Sequence, residues 1–287
     1  MKTSRQTTVS EGDEHMIGTK RAVASTTQTA VEGVRDMGTT GLNARKIALV
    51  TGVLFIITYV TSIPARLFLY APVRTDVNYI VGAGADSQIA LGALLELILI
   101  IANVGTAVVL FPILKRQNYE LALGYVTARL VECTFIAAGI LSMLAIVMLR
   151  QDFAGTGGGD RGSFVTVGRA LFAIYEWAFA LGPGFVVGVG NGLILGYMMY
   201  KSRLVPRGMA MLGLIGGPLI IATGVAVLFD VIEPDSLPQV VAVIPEFFWE
   251  LSLGIYLIVK GFKPAAVASL PASTGAEHLS SGAPSAA

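Results

Sequence analysis

Long apolar segments alternate with short polar ones along the middle of the chain. About 20 apolar residues are enough to cross the hydrocarbon core of a bilayer. Six segments meet that length, approximately over residues 47–69, 88–114, 121–149, 164–200, 208–229 and 240–259. The pattern therefore predicts an all-α fold, a polytopic transmembrane helix bundle of about six spans that occupies residues 44–263.

The two ends of the chain have a different composition. Residues 1–43 are rich in Ser, Thr, Gly and scattered charge, and residues 264–287 are rich in Pro, Ala and Ser. Residues 1–43 contain no apolar run long enough for the core of a signal peptide. We predict two disordered polar tails, because segments of this kind bury too little apolar surface to offset the entropy of folding.

The fourth apolar segment is too long for a simple span. At 1.5 Å per residue, residues 164–200 would form a helix roughly 55 Å long, nearly twice the hydrocarbon thickness. The alternatives are one long helix, kinked at Gly182-Pro183-Gly184, or two short spans. A single crossing places the basic clusters at 45–46, 115–116, 201–207 and 260–263 on one side of the membrane. The positive-inside rule therefore favours six spans with both termini cytoplasmic.

A glycine stripe runs along the second half of this segment, and its members lie four residues apart. They are Gly184, Gly188, Gly192 and Gly196. Residues at this spacing share a helix face, and a face without side chains lets a neighbouring helix approach closely. We predict that the stripe serves helix packing.

Composition agrees with a membrane protein and excludes several kinds of chemistry. Apolar residues make up 54% of the chain and charged residues 14%, whereas soluble proteins have about 25% charged residues. The net charge of +1 gives no reason to expect nucleic-acid binding. Cys133 is the only cysteine, and the two histidines, His15 and His278, lie in the tails. We therefore predict no catalytic residues, no metal site and no cofactor, and we expect that the protein is not an enzyme.

Several ionisable residues nevertheless lie inside the apolar segments. Each would cost roughly 2.5 to 3.5 kcal/mol at the bilayer centre, so these side chains are expected to face the interior of the bundle or a wet cavity. The residues are Glu96, Arg129, Glu132, Arg169, Glu176, Glu246 and Glu250.

Three polar pairs share a helix face because their members are three, four or seven residues apart. The pairs are Arg129 with Glu132, Glu246 with Glu250, and Glu96 with Asn103. Arg129 cannot lose its proton, so it needs a carboxylate partner, and Glu132 is the nearest. Together with Glu176, these six residues are the candidates for a cavity or a proton relay.

Structural roles for the same residues stay open. In these roles Arg129 and Glu132 would form an ion pair that fixes helix register, and Glu176 beside Trp177 would anchor a helix at the interface. Asn103 and Asn191 would form hydrogen bonds between helices. The run Phe247-Phe248-Trp249, between Glu246 and Glu250, would suit a cationic ligand.

Four motifs carry a resemblance to a known family. They are GALLELIL at 92–99, ANVGTAVVLFPILKRQN at 102–118, ARLVE at 128–132 and YKSRLVPR at 200–207. The chain resembles, over residues 43–263, the bacterial membrane family known as domain of unknown function 4386. The resemblance implies a multi-pass protein of the bacterial plasma membrane and supplies no catalytic or binding residues.

Three classes of function compete. The buried carboxylates favour a proton-coupled carrier, or a membrane protein that binds a small molecule or protons in a polar cavity. The glycine stripe favours a non-catalytic membrane protein that acts by association with other helices or proteins. An intramembrane enzyme is the least favoured, because the spans lack histidine and paired cysteines. The expected partners are the lipid bilayer and a small ligand, while the identity of that ligand and homo-oligomer formation are left open.

Overall fold

The computed structural model describes residues 43–76, 78–82, 84–155, 157 and 160–271. Residues 1–42 and 272–287 of the two predicted tails therefore lie outside the described residues. The described part contains six helices that are long and apolar enough to cross a membrane, and it has no strand. They are α1 (Asn43–Leu69), α2 (Asp86–Leu114), α3 (Tyr119–Gly155), α4 (Arg161–Ser202), α5 (Arg207–Leu228) and α6 (Leu237–Val259). The prediction of an all-α bundle with six candidate spans is confirmed.

Helix α4 is one continuous helix, not two short spans. It begins at Arg161, where the Asp160 side chain accepts hydrogen bonds from the backbone N–H of Gly162 and Ser163. The Ser163 hydroxyl also donates to the Asp160 carboxylate, and this bond, with the backbone bonds, lowers the pKa of the Asp160 carboxyl. The helix ends at Ser202, because Arg203 adopts the left-handed conformation with φ of 57°.

Two proline positions widen the helices that contain them. Helix α1 changes to a wide π turn over Ala65–Leu69, directly after Pro64. Helix α4 does the same over Gly182–Val186 and Gly188–Leu195, in the region of Pro183. Proline lacks the N–H that an ordinary helical turn needs, and glycine tolerates the altered backbone. The interruption predicted at residues 182–184 is therefore a wide segment within one helix.

The six helices form a closed ring. Neighbours along the chain pack side by side, and α1 closes the ring against α6. At that closure a Cβ on Gly52 would lie 2.6 Å from the backbone oxygen of Gly254, so the two backbones touch. Arg45 also donates hydrogen bonds to the carbonyl oxygens of Leu257 (2.9 Å) and Ile258 (2.7 Å). These carbonyls belong to the last turn of α6, which has no intrahelical donors for them.

Apolar cores fill both ends of the ring. We call the end at which α1 ends and α2 begins the Tyr70 end, and the opposite one the Arg45 end. Buried residues around Tyr70, Ile89 and Met143 form the core at the Tyr70 end, and residues around Leu110 and Trp249 form the core at the Arg45 end. Six of the polar residues singled out from the sequence line a cavity between these cores.

A short helix, Pro264–Ala268, follows α6 within the segment predicted as a disordered tail. Ala266 and Val267 on this helix are buried. Arg116 donates hydrogen bonds to the carbonyl oxygens of Leu270 (3.0 Å) and Pro271 (2.8 Å). Apolar burial and this arginine together order the first residues of that segment, an effect that its composition does not indicate.

Candidate functional site

Asn103 of α2 forms a buried hydrogen-bonded group with Arg129 and Glu132 of α3. Arg129 donates from Nη1 to Glu132 Oε2 over 2.7 Å, and Asn103 donates from Nδ2 to Glu132 Oε1 over 3.2 Å. The Arg129 and Glu132 side chains are 2% and 6% exposed. Both oxygens of Glu132 are thus satisfied, as the three-residue spacing predicts for the ion pair. Arg129 Nε and Nη2 have no hydrogen-bond partner among the described residues.

The acidic pair of α6, Glu246 and Glu250, has few partners. Neither carboxylate oxygen of Glu246 is hydrogen-bonded within the described part of the chain, although Glu246 is only 3% exposed. Glu250 accepts a hydrogen bond from Asn191 Nδ2. Asn191 is held in turn by Trp249, whose Nε1 donates to the Asn191 carbonyl over 3.0 Å. Buried polar groups are nearly always hydrogen-bonded in proteins, so the Glu246 carboxyl is an exception that needs an explanation.

Glycines of α4 and α5 make room for Glu246. A Cβ on Gly192 would lie 2.4 Å from the Cα of Gly217 and 2.9 Å from Glu246 Oε2. A Cβ on Gly216 would lie 2.8 Å from the same oxygen. Real Cβ atoms are not found at such distances, because interiors are close-packed. The bare backbones therefore bring α4, α5 and α6 together around one carboxyl group.

The glycine stripe is not equally close to α5 along its length. A Cβ on Gly188 would lie 2.8 Å from the Gly217 oxygen, and one on Gly196 would lie 3.3 Å from the Leu214 nitrogen. A Cβ on Gly184 would meet only the α4 backbone oxygen of Phe179, at 3.3 Å. Together with Gly192, the stripe places its closest contacts in the middle of the fold, at the level of Glu246.

Glu96 of α2 receives a hydrogen bond from outside the spans. Tyr70 Oη donates to Glu96 Oε2 over 2.9 Å. The Tyr70 ring fits because Gly92 lies beneath it, where a Cβ would come within 2.5 Å of Tyr70 Cε1. Burial and the neighbouring Glu96 carboxylate raise the pKa of Tyr70, so its hydroxyl keeps the proton that it donates.

Four charged residues form what we call the Arg66 cluster, made of Arg66, Arg74, Glu176 and Asp235. Arg66 Nη2 lies 3.3 Å from Glu176 Oε2 and 3.0 Å from Asp235 Oδ2. Arg74 Nη2 lies 2.8 Å from Asp235 Oδ2. The Arg66 guanidinium also lies over the Phe179 ring, 3.6 Å from its centroid. The cluster ties α1, α4 and the segment before α6 together at the Tyr70 end.

Sequence reasoning did not single out Arg66, although it is 8% exposed and lies in the first span. The sequence feature that could have indicated a buried charge is the position of Arg66, two residues after Pro64 and still within the first apolar segment. Its partner Glu176, a candidate for the cavity, belongs to the Arg66 cluster and does not line the cavity.

The prediction that Arg169 faces the interior of the bundle is wrong, because this residue is exposed. Helix α4 is long enough for its first turns to extend beyond the hydrocarbon core, so Arg169 need not be buried.

One cavity of about 210 Å³ lies between the two apolar cores. Its wall includes six of the seven polar residues that the sequence suggested, and Glu176 is not among the lining residues. The six are Glu96, Asn103, Arg129, Glu132, Glu246 and Glu250. Arg66 lines the same cavity, and the rest of its wall is mostly aliphatic and aromatic. The bundle therefore brings charged side chains from α1, α2, α3 and α6 to the wall of the same cavity.

Comparison with known proteins gives one match. A family model described as a domain of unknown function (DUF4386) matches residues 50–261, which include α1 from residue 50 onward, all of α2 to α6 and every residue of the cavity wall. No curated protein and no solved structure matches the chain.

Proposed function

Because this chain belongs to the DUF4386 family, which is described only as a domain of unknown function, we propose its activity from its own cavity: it is a proton-coupled carrier of the bacterial plasma membrane. The observation that supports this proposal is the convergence of Glu96, Glu246 and Glu250 on one buried cavity. None of the three has an arginine or lysine within ion-pair distance in the described residues. Carboxyl groups of this kind bind and release protons as their surroundings change.

The wide segment of α4 supports the same proposal. Non-helical or altered backbone is tolerated at membrane depth where it is buried in protein or lines a cavity, and interrupted helices line the ligand sites of many carriers. Pro183 and Val187 belong to this region of α4 and lie in the cavity wall. The basic clusters lie at the Arg45 end, so we place that end, and with it both termini, in the cytoplasm.

The alternative of function by association loses its main support. It rested on the glycine stripe as a surface for other helices, but Gly188 and Gly192 make their close contacts with Gly217 of the same chain. The stripe is used inside the bundle. We propose no catalytic activity and no cofactor.

Transport can be tested before the ligand is known. Proteoliposomes loaded with a pH-sensitive dye would be mixed with the low-molecular-mass fraction of a bacterial cell extract. We expect a change of internal pH with the wild-type protein that is absent from protein-free liposomes and from Glu246→Gln. The matched control is Arg169→Gln, an exposed residue of α4 that should leave the signal intact. A wild-type signal equal to that of protein-free liposomes would contradict the carrier proposal.

A further inference from the structure

We infer that the cavity binds a small organic ammonium ion with an apolar body, a proposal that specifies the ligand of the carrier function above. The first argument is the balance of charge in the wall. Arg129 is paired with Glu132, and Arg66 is paired with Glu176 and Asp235. The three other carboxyl groups of the wall have no cationic side chain at ion-pair distance in the described structure. When these three carboxyl groups are ionised, the wall carries an excess of negative charge, which a cationic ligand would balance.

Glu246 is the contact point that the geometry assigns to the ammonium group. Glu246 is one of the residues that line the cavity. Its two oxygens are buried and have no hydrogen-bond partner among the described residues. An ammonium group with N–H bonds would donate to these oxygens and remove the unfavourable free energy of a buried, unpaired carboxylate. The bare backbones at Gly192 and Gly216 leave room for that carboxylate but not for another side chain.

Aromatic rings border the same part of the wall. Phe247 and Tyr59 pack edge to face with ring centroids 5.1 Å apart. Tyr59 Oη donates a hydrogen bond of 2.7 Å to the Phe247 carbonyl, which fixes the ring of Tyr59. Both residues line the cavity. Aromatic faces attract cations and also contact apolar groups, so they suit an ammonium ion that carries a hydrocarbon body.

The same cavity suits a metal ion or an anion less well. Within the described residues, no group of three or more His, Cys, Asp or Glu side chains is placed to hold a metal ion. The nitrogen atoms of Arg129 that have no partner belong to a group whose charge Glu132 already balances. An anion would therefore meet three uncompensated carboxyl groups. At about 210 Å³ the cavity is smaller than the roughly 300 to 1,000 Å³ of pockets for drug-sized ligands.

Three probes of one shape and different charge test the ligand class. Phenethylammonium chloride, the neutral 2-phenylethanol and the anion phenylacetate would be titrated against the purified full-length protein in detergent, with calorimetry and thermal unfolding as readouts. We expect the ammonium compound to bind at least about tenfold more tightly than either other probe, a difference of about 1.4 kcal/mol. Equal binding of the alcohol or preferential binding of the carboxylate would overturn the inference, as would no binding of the amine.

Two variants connect the affinity to Glu246. Glu246→Gln should lower the affinity for phenethylammonium by about tenfold or more, and Glu246→Asp should retain part of it because the charge remains. Arg169→Gln should bind like wild type. Unchanged affinity in Glu246→Gln would show that the ammonium group binds elsewhere and would overturn the assignment.

Different results would contradict the proposed ligand class and the proposed carrier function. If the proton signal appears with cell extract while the active component passes through a cation exchanger, the carrier stands and the ammonium ligand is wrong. If the amine binds through Glu246 while no extract gives a proton signal, the ligand class stands and the protein binds without transport.

Discussion

Charges are paired in the Arg66 cluster and between Arg129 and Glu132, whereas the acidic pair of α6, Glu246 and Glu250, has no cationic partner in the described residues. In the Arg66 cluster every charged side chain has an opposite charge within 4.0 Å, and the same holds for Arg129 with Glu132. Glu246 has no partner within the described residues, and Glu250 has only an amide. A buried ion pair is needed for stability once it exists, because removal of one member leaves the other uncompensated. A buried carboxyl without a partner stabilises nothing, which indicates that it serves another purpose.

This comparison predicts the largest effect on stability at the most buried ion pair, Arg129 with Glu132. Arg129→Met should lower the free energy of unfolding by about 3 to 5 kcal/mol, because it leaves the Glu132 carboxylate buried without its cation. Thermal unfolding in detergent should show a midpoint lower by about 10 °C. The double variant Arg129→Met with Glu132→Gln should recover most of that loss. A double variant no more stable than the single one would contradict the pairing argument.

The next largest effect is expected where backbones touch around Glu246. Gly192→Ala should destabilise the fold by about 1 to 3 kcal/mol, because its Cβ would lie 2.4 Å from the Cα of Gly217. Gly124→Ala is the matched control, since its Cβ would meet only Ile194 Cδ1 at an ordinary 3.5 Å. Thermal midpoints of the two variants in the same detergent provide the comparison. Equal midpoints would show that α4 and α5 separate easily.

The Arg66 cluster should show a smaller and graded effect. Arg66→Met should lower the stability by about 2 kcal/mol, because a side chain that is 10% exposed loses charged hydrogen bonds. Arg74→Met should lower it by about 1 kcal/mol or less, because its partner Asp235 is 49% exposed and water screens the pair. A larger loss of stability in Arg74→Met than in Arg66→Met would show that burial does not determine the strength of the ion pairs in this cluster.

The smallest effect on stability is expected at the carboxyl groups without a cationic partner. Glu246→Gln, Glu250→Gln and Glu96→Gln should each change the free energy of unfolding by less than about 1 kcal/mol. Glutamine removes the unfavourable burial of a charge and keeps an oxygen that accepts hydrogen bonds. The same substitution at Glu246 should abolish the proton signal and weaken amine binding. A loss of several degrees in the thermal midpoint of all three variants would assign them a structural role.

Much of the architecture could be predicted because membranes impose local rules. Span positions follow from runs of apolar residues, and the distribution of basic residues between loops favours one helix over two short spans at α4. The pairing of Arg129 with Glu132 followed from a spacing of three residues on one helix. Each of these signals lies within a short stretch of sequence.

Features that depend on distant segments could not be predicted in the same way. The contact of Tyr70 with Glu96 and that of Asn191 with Glu250 join residues far apart in the chain. No local pattern pairs Glu176 with an arginine either, because its partner Arg66 lies on another helix. The closed ring of six helices, which creates the cavity, depends on the contact of Gly52 with Gly254.

The wide turns of α4 between Gly182 and Leu195 have a mechanical consequence. A wide turn contains one residue more than an ordinary one, so its movement along the helix rotates the residues that it passes by about 100°. Asn191 lies in this stretch, with its amide on Glu250 and its carbonyl held by Trp249. Such a movement would swing Asn191 away from both partners and uncover Glu250 while the helix axes stay in place. Asn191 is thus held at a position in α4 where a shift of the wide turn by one residue would be enough to break both contacts.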